Sequence, residues 1–309
     1  MSKESRPLIS LCIPTNGVIE WVFNSLESIY QQNVSNDLFE VIVTDNGNNL
    51  DFENEMRKYA LSHENVLYAK TDAEPFVNEI EAYKRARGHF IKYLNHRSLL
   101  LPDSLNRYIA FVRDNWENRP IVYFANGVLN GRKDVRRLDS FDLYIRELSY
   151  FSSWSTGMAF WKDDFDKVIF KEDLDKLFPH TAILFNERDR KEYIVDNQVY
   201  LGEQNPGSIP KAKYDLFYAF AVDYPSLLLE LRRQGAISTQ TFLCVKNELL
   251  RFIIYQYYSF CIKKKPCSYD LNSFKESIKV FYSKGNIARA IAKEVCDCIR
   301  MKLFFRTHN

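Results

Sequence analysis

The sequence predicts an α/β fold, with a mostly parallel sheet flanked by helices and a helical extension at its C-terminal end. Two observations lead to this prediction. Short apolar segments alternate with segments of helical period over the first part of the chain, which is the pattern of parallel βαβ units. From Asp215 onward the pattern is helical throughout. We therefore divide the chain into a first domain over residues 1–235 and a helical, basic region over residues 236–309.

The first domain begins with apolar segments that end in polar turns. These segments predict strands at 8–14, 39–44, 66–69 and 90–94, with helices at 20–32, 52–62 and 78–87 between them. Ligands of parallel sheets bind at the carboxyl ends of the strands. Three polar turns follow strands at that edge: Pro14-Thr15-Asn16, Asp45-Asn46 and Asn95-His96-Arg97. The sequence therefore predicts a binding site there.

The later part of the chain is predicted to be mostly helical. A polar, basic stretch at 130–140 is typical of a loop, and the small residues at 152–157 are typical of a turn. The predicted strands are 121–125, 193–195 and 198–200, and residues 158–161 form an apolar segment after the turn. The predicted helices are 103–116, 173–186, 215–233, 239–262, 270–281 and 286–305.

Composition and motifs exclude several classes of protein. The chain has 309 residues, 46% hydrophobic and 27% charged, which suits a large buried core. None of the six cysteines forms a CxxC pair, so a zinc finger is not expected, and no nucleic-acid-binding motif is present. We find no apolar signal segment and no uncharged apolar run near the roughly 20 residues of a membrane span. We therefore expect a cytoplasmic protein with reduced thiols.

Positive charge is concentrated near the C-terminus. From residue 240 onward there are thirteen lysines and arginines and five acids, whereas the whole chain has a net charge of +2. Aromatic residues accompany these cations at 252–260 and 299–306, a combination typical of helices on an anionic membrane surface. We expect peripheral binding at the inner face of the cell membrane. A helical subdomain that packs on the core, or a homo-oligomer interface, explains the pattern equally well.

Five segments, in the right order, resemble the family-2 glycosyltransferases of the GT-A fold, which transfer a sugar from a nucleotide-sugar to an acceptor hydroxyl. Segments 8–16 and 41–47 resemble the family's first two strands and their turns. Residues 78–91 resemble the helix and strand before its aspartate cluster, and residues 155–160 resemble its acceptor-side segment. Phe178-Pro179-His180 resembles a segment of the bacterial family members that modify lipid-linked surface oligosaccharides. The resemblance spans about residues 7–235.

The resemblance implies a nucleotide site at these turns. Asp45 falls where family members accept a hydrogen bond from the uracil of a UDP-sugar, and a carboxylate suits an N–H donor. Asp in an Asp-Asn-Gly turn and Asn before a helix also have ordinary capping roles. The candidates for the donor pocket are Pro14, Thr15, Asn16, Asp45, Asn46, Asn78 and Asn95.

The third turn departs from the family's pattern. Where the family has aspartates that hold Mg2+ or Mn2+ against the diphosphate, this chain has Asn95-His96-Arg97-Ser98. Neutral oxygens, an imidazole and a guanidinium are poor ligands for these hard cations, so we expect no tightly bound metal. Arg97 is the candidate that replaces it, because a guanidinium binds two phosphate oxygens in a fork. His96 would assist when protonated.

The acceptor's proton requires a base. The resemblance places the family's aspartate near His180, and an imidazole with an ordinary pKa of about 6.5 suits that role. A structural histidine is the alternative. Trp154 fits either a sugar-stacking platform or a core anchor. The other acids near in sequence are Asp163, Asp164, Asp173 and Asp175.

These observations predict an inverting hexosyltransferase. It would move a sugar from a UDP-sugar to a hydroxyl of a bacterial surface glycan or a lipid-linked oligosaccharide, without a nucleic-acid partner. One alternative is a catalytically inactive protein that binds a sugar nucleotide or glycan and scaffolds an active transferase. Another is a metal-dependent transferase whose carboxylates come from elsewhere in the chain.

Overall fold

The computed structural model describes residues 6–129, 134–168, 175–204 and 213–293. The chain forms two compact units, the first of Met1–Tyr144 with Phe151–Gly207 and the second of Ile145–Tyr150 with Ser208–Asn309. The functional division at residue 235 stays a prediction. Aromatic side chains pack within the second unit, where the ring centroids of Phe217 and Phe274 lie 4.9 Å apart.

The strands are short and mostly buried. Their bounds are β1 Ile9–Thr15, β2 Phe39–Asp45, β3 Val66–Lys70, β4 Phe90–Tyr93, β5 Ser98–Leu100, β6 Ile121–Phe124, β7 Val135–Leu138, β8 Ala159–Trp161, β9 Tyr193–Asp196 and β10 Leu201–Glu203. The main sheet has the order β3-β2-β1-β4-β8, in which β8 alone is antiparallel. A second sheet has the order β6-β9-β7, and β5 pairs with β10.

Helices flank these strands. Their bounds are α1 Ile19–Tyr30, α2 Leu50–Ser62, α3 Asn78–Arg85, α4 Ser104–Asp114, α5 Phe141–Leu148, α6 Lys162–Val168, α7 Pro179–Asn186, α8 Leu216–Tyr218, α9 Tyr224–Arg233, α10 Thr239–Tyr257 and α11 Phe274–Phe281. Single π turns at Ala219–Asp223 and Tyr258–Ile262 follow α8 and α10, and residues 284–293 are also helical. Within the described ranges, no helix is long and apolar enough to cross a membrane.

The core of the first unit explains the continuous apolar runs of its strands. Ile9, Leu11 and Ile13 of β1 are fully buried, and so are Val41 and Val43 of β2. Parallel strands covered by helices on both faces have no solvent side, so their sequences lose the alternation of an exposed strand. This arrangement leaves the carboxyl ends of the strands as the polar edge.

Three expectations for local structure were wrong. The predicted loop at 130–140 contains β7, and β5 and β10 pair where no strands at 98–100 and 201–203 were predicted. The predicted helix at 173–186 begins at Pro179, because proline lacks an N–H and suits the first turn of a helix. Residues 130–133 and 169–174 lie outside the described residues, as does the predicted helix beyond residue 293.

Candidate active site

The turns after β1 and β2 lie in direct backbone contact. The N–H of Asn46 donates to the carbonyl of Thr15 at 3.1 Å. A Cβ on Gly47 would lie 1.9 Å from the carbonyl oxygen of Asn16, so only glycine fits at that position. Pro14 is half-buried and Asn16 is exposed beside this contact. The structure thus brings together two of the three turns that the sequence placed at this edge.

Asp45 is enclosed by its own neighbours. One carboxylate oxygen accepts the N–H of Gly47 at 2.8 Å, and the other accepts the Tyr68 hydroxyl and the Lys70 ammonium, each at 2.9 Å. Burial, with the hydrogen bond to Asp45, raises the pKa of Tyr68 above its usual range. The Asp45 side chain has no exposed surface, whereas Lys70 is one-third exposed. Lys70, the last residue of β3, is therefore the charged group of this cluster that is exposed to solvent.

Asn78 joins the ends of β1 and β2. Its Nδ2 donates to the carbonyls of Thr15 at 3.2 Å and Thr44 at 2.9 Å, and its Oδ1 accepts the Thr71 hydroxyl at 2.8 Å. The residue is almost fully buried, so these contacts use both ends of the amide inside the protein. Asn78 supports the shape of the edge. A contact between Asn78 and a nucleotide stays a prediction.

His96 connects the third turn to the first. Its Nδ1 lies 2.8 Å from the hydroxyl of Thr15, which also accepts the N–H of Gly17 at 3.1 Å. We assign the hydroxyl proton to the His96 contact, which leaves the ring proton on Nε2. Burial, followed by the charge of Arg97, lowers the pKa of His96 to about 3. The imidazole is therefore neutral at physiological pH, which does not support the expectation that it assists as a cation.

Arg97 is held in place, and no carboxylate of residues 6–129, 134–168, 175–204 and 213–293 pairs with its charge. Asn95 Oδ1 accepts both the Arg97 backbone N–H at 3.0 Å and its Nε at 3.3 Å. The guanidinium lies over the Trp21 indole, 5.4 Å from the ring centroid. Gln204 donates its N–H to the Arg97 carbonyl and its Nε2 to the Trp21 carbonyl, at 3.0 and 2.9 Å. No carboxylate of the described residues pairs with this guanidinium, so its two terminal nitrogens are available to an anion.

The third turn does not fit a divalent metal. The Asn95 amide oxygen is already occupied by Arg97, and His96 Nδ1 is occupied by Thr15. The remaining charged group is itself a cation, which repels a metal ion. Across the described ranges, no group of three or more His, Cys, Asp or Glu side chains could hold a metal. We therefore derive no step through Mg2+ or Mn2+ at this turn.

Hydrogen-bond donors on neighbouring strands hold the backbone of residues 151–157 in place. The Tyr123 hydroxyl lies 2.6 Å from the Trp154 carbonyl oxygen, and Lys92 Nζ donates to the Thr156 carbonyl at 2.7 Å. Lys92 lies within β4 and is fully buried, which lowers its pKa to about 7. A Cβ on Gly157 would lie 2.2 Å from the Tyr123 ring, so the segment rests directly on that ring.

Tyr93 links this segment to the third turn. Its hydroxyl is hydrogen-bonded to the Ser155 side chain and lies 3.5 Å from Asn95 Nδ2. Trp154 and Ser155 are half-buried, so part of each side chain is accessible at the surface. The 151–157 segment and the Arg97 turn thus belong to one hydrogen-bonded network.

His180 is buried, and both of its ring nitrogens face acceptors. Nδ1 lies 2.8 Å from a Glu79 carboxylate oxygen, and Nε2 lies 2.9 Å from the Ser153 carbonyl oxygen. Burial alone would lower the pKa of His180, but Glu79 and the carbonyl outweigh it and raise the pKa. Two neighbouring acceptors favour a ring with a proton on each nitrogen, which has no free lone pair. This geometry does not support the hypothesis that His180 is the base.

The other acids near His180 are mostly engaged elsewhere. Asp163 accepts from Arg119 at 2.9 Å, and Asp164 pairs with Lys167 at 3.2 Å. Asp175 accepts the backbone N–H groups of residues 177 and 178 at the start of α7. Asp173 lies outside the described residues.

Several residues of the edge were not among the candidates. Lys92 could have been noticed as a lysine inside an apolar strand, which requires buried acceptors. Trp21, Tyr68, Lys70, Glu79 and Gln204 left no such signal, because each joins the edge through a partner that is distant in sequence.

The chain has the GT-A fold of glycosyltransferases, which confirms the predicted fold class. It is similar to a crystal structure of residues 1–349 of S. aureus TarS, with a TM-score of 0.54 and 17% identity over 88% of this chain and 75% of that one. TarS 1–349 in complex with UDP has a TM-score of 0.53 and 16% identity, over 93% and 82% of the chains.

The TarS 1–349 complex with UDP-GlcNAc is similar to the same degree. Its TM-score is 0.51 at 16% identity, over 91% of this chain and 79% of that one. A longer TarS structure is matched over 44% of its length. No family model and no curated protein matches the chain. At these identities the likeness establishes the fold.

Proposed function

We propose that the protein is an inverting glycosyltransferase that uses a UDP-sugar and needs no metal ion. The observation that carries the proposal is the Arg97 guanidinium, which pairs with no carboxylate of the described residues and is held by Asn95 and Trp21 at the carboxyl edge of the sheet. The donor class is supported by the shared fold with TarS, whose structures contain UDP and UDP-GlcNAc. The acceptor is a hydroxyl of a bacterial surface glycan or of a lipid-linked oligosaccharide, as the sequence resemblance implies.

Arg97 would stabilise the leaving group. As the acceptor oxygen bonds to C1 of the sugar, the bond from C1 to the diphosphate oxygen breaks, and its electron pair leaves with UDP. The terminal guanidinium nitrogens can donate to two phosphate oxygens while Nε stays on Asn95. The site holds the guanidinium before reaction, so little reorganisation is needed when the charge develops. Neutral His96 would add an Nε2–H donor.

The acceptor's proton would pass to a base on the face opposite the leaving group. The candidates are His180, Asp163, Asp164, Asp173 and Asp175. Replacing the one that acts as base, by glutamine for His180 or by asparagine for an aspartate, should lower kcat by at least a hundredfold, as removal of a general base does. Wild-type activity in all five variants would contradict a base from this group.

The decisive experiment measures UDP release with and without EDTA. We expect turnover that EDTA leaves unchanged, and a 100- to 1,000-fold lower kcat in Arg97→Ala, as for loss of a preorganised electrostatic contact. Arg113→Ala is the matched control, since this exposed arginine at the end of α4 should have wild-type activity.

Two results would replace the proposal. Loss of turnover in EDTA would identify a metal-dependent transferase with ligands elsewhere. UDP binding without turnover against any acceptor, in a protein that stays folded, would favour the inactive scaffold.

We also propose that the protein works in the cytoplasm, at the inner face of the cell membrane. The support is the excess of positive charge after residue 240, which would attract anionic lipids. Self-association through the same region is the alternative, which the molecular mass in solution distinguishes.

A further inference from the structure

The second unit carries an exposed patch that combines aromatic, aliphatic and cationic side chains. We call it the 255–265 patch, and it consists of Tyr255, Tyr258, Ile262, Lys263, Lys264 and Lys265. The three apolar side chains are 54%, 49% and 57% exposed. Their spacing of three and four residues places them on one face at the end of α10 and its π turn.

The opposite face of the same helix already provides the core contacts of the unit. Phe252 stacks on Tyr150 with the ring centroids 5.0 Å apart, and Tyr257 stacks on Phe274 at 4.0 Å. Ile253 is almost fully buried. The exposed aromatic and aliphatic side chains are therefore not needed for the packing of α10.

Among the described residues, the three lysines have no carboxylate partner. All three are exposed. Lys263 Nζ lies 5.6 Å from the centroid of the Tyr258 ring, which places charge and aromatic surface side by side.

The backbone of the lysine turn is defined by a helix cap. Lys264 has a positive φ of 51°. The N–H groups of Lys263 and Lys265 return to the carbonyls of Tyr258 and Ser259, at 2.8 and 3.1 Å. These bonds satisfy the last carbonyls of the helix and fix where the lysine backbone emerges.

We infer that the 255–265 patch binds an anionic phospholipid membrane. Ile262 and the two tyrosines enter the interface between headgroups and acyl chains, and the lysines contact lipid phosphates. A nucleic acid would also attract the lysines, but an exposed isoleucine gains nothing from a phosphate backbone. The inference deepens the proposed location at the membrane, and it does not depend on the transfer reaction.

The test is co-sedimentation of the full chain with vesicles, in the absence of donor and acceptor. We expect binding to vesicles of phosphatidylcholine with 30% phosphatidylglycerol. The affinity should be about a hundredfold higher than for phosphatidylcholine alone, because each one to two lysines near an anionic surface raise the affinity roughly tenfold. The Lys263→Ala/Lys264→Ala/Lys265→Ala variant should lose that preference. Tyr258→Ser/Ile262→Ser should weaken the binding that persists in 0.5 M salt.

The matched control is Lys275→Ala/Lys279→Ala/Lys284→Ala, which removes the same charge from exposed positions of the same unit. If both triple variants lose the same amount of vesicle affinity, the net charge of the protein and not the 255–265 patch determines binding, and the inference is wrong. Equal wild-type binding to both vesicle types, or a patch-dependent affinity for duplex DNA without one for vesicles, would overturn the membrane as partner. UDP release measured without vesicles reports separately on the proposed transfer.

Discussion

Arg97 places a fixed positive charge where the resemblance implies carboxylates around a metal ion. A bound Mg2+ and a guanidinium both offset the charge of a diphosphate, but they differ in what they require from the protein. The metal needs anionic oxygen ligands, whereas the guanidinium needs one acceptor and a flat surface. Asn95 supplies the acceptor at 3.3 Å from Nε, and Trp21 supplies the surface. The residues of this turn therefore suit the proposed role of Arg97 in place of a metal ion.

The His180–Glu79 pair leads to a prediction for stability. His180 has a raised pKa in the folded protein, so it binds its proton more tightly there than in the unfolded chain. The resulting stabilisation is fully present below the unfolded pKa of about 6.5 and is lost as the pH rises through the folded-state pKa. We expect His180→Gln to lower the free energy of unfolding by about 3 kcal/mol at pH 6, because it leaves a buried carboxylate unpaired.

Urea denaturation between pH 6 and pH 9.5 checks this prediction. The difference between wild type and His180→Gln should narrow toward the alkaline end. Thr181→Ala is the control, since it removes a 3.1 Å hydrogen bond to the Ser152 carbonyl without removing a titrating group. A difference that widens as the pH rises would mean that the ring is neutral, and His180 would regain its place as a candidate base.

At the scale of elements, the 151–157 segment behaves as part of the sheet although it is not a strand. Its carbonyls receive hydrogen bonds from Lys92 in β4, Tyr123 in β6 and His180 in α7. Buried carbonyls without a partner cost free energy, so these donors hold an irregular backbone in one shape. The segment can thus present Trp154 and Ser155 at a constant distance from the Arg97 turn.

Gly157 tests this rigidity. Gly157→Ala would place a methyl group 2.2 Å from the Tyr123 ring, so the segment must move away from the ring. We expect a loss of about 2–3 kcal/mol in the free energy of unfolding, which is typical of overpacking, together with a lower kcat/KM. Gly202→Ala is the control, since its nearest contact of 3.5 Å is ordinary packing. Unchanged thermal unfolding in Gly157→Ala would show that the segment adapts freely.

At the scale of the molecule, the chain combines two units with different surface chemistry. The first unit gathers its polar turns at one edge of a sheet, and the second carries the 255–265 patch. The proposed transfer and the inferred membrane contact therefore use different residues. Substitutions can therefore abolish the proposed transfer or the inferred membrane contact separately.

Ligand binding by the whole chain gives a further prediction. UDP at a hundredfold excess over its Kd should raise the free energy of unfolding by about 2.7 kcal/mol, because it binds only the folded state. The shift should be the same with EDTA and smaller in Arg97→Ala, measured by thermal unfolding at fixed UDP. GDP at the same concentration should stabilise less. A shift that requires Mn2+ would contradict the metal-free site.

The sequence by itself determined the class of fold and the edge where the polar turns lie. Buried parallel strands need continuous apolar runs, and the polar turns of the binding edge come directly after them in the chain. Both features can therefore be recognised from the local sequence. The positions of Asp45 and Arg97 at strand ends could be predicted for this reason. The residue types of the third turn also predict a poor fit for Mg2+ or Mn2+, and the absence of a metal stays a prediction.

Only the tertiary structure decided what these side chains are free to do. The partners that enclose Asp45 are 23 and 25 residues away, and Glu79 lies 101 residues from His180. Such contacts depend on which strands become neighbours. A local sequence pattern therefore does not show whether a side-chain oxygen or nitrogen already accepts a hydrogen bond from elsewhere in the protein. Contacts within the protein hold Asp45 and His180, whereas no acid of the described residues pairs with Arg97. The roles of Asp45 in nucleotide binding and of His180 as base stay predictions.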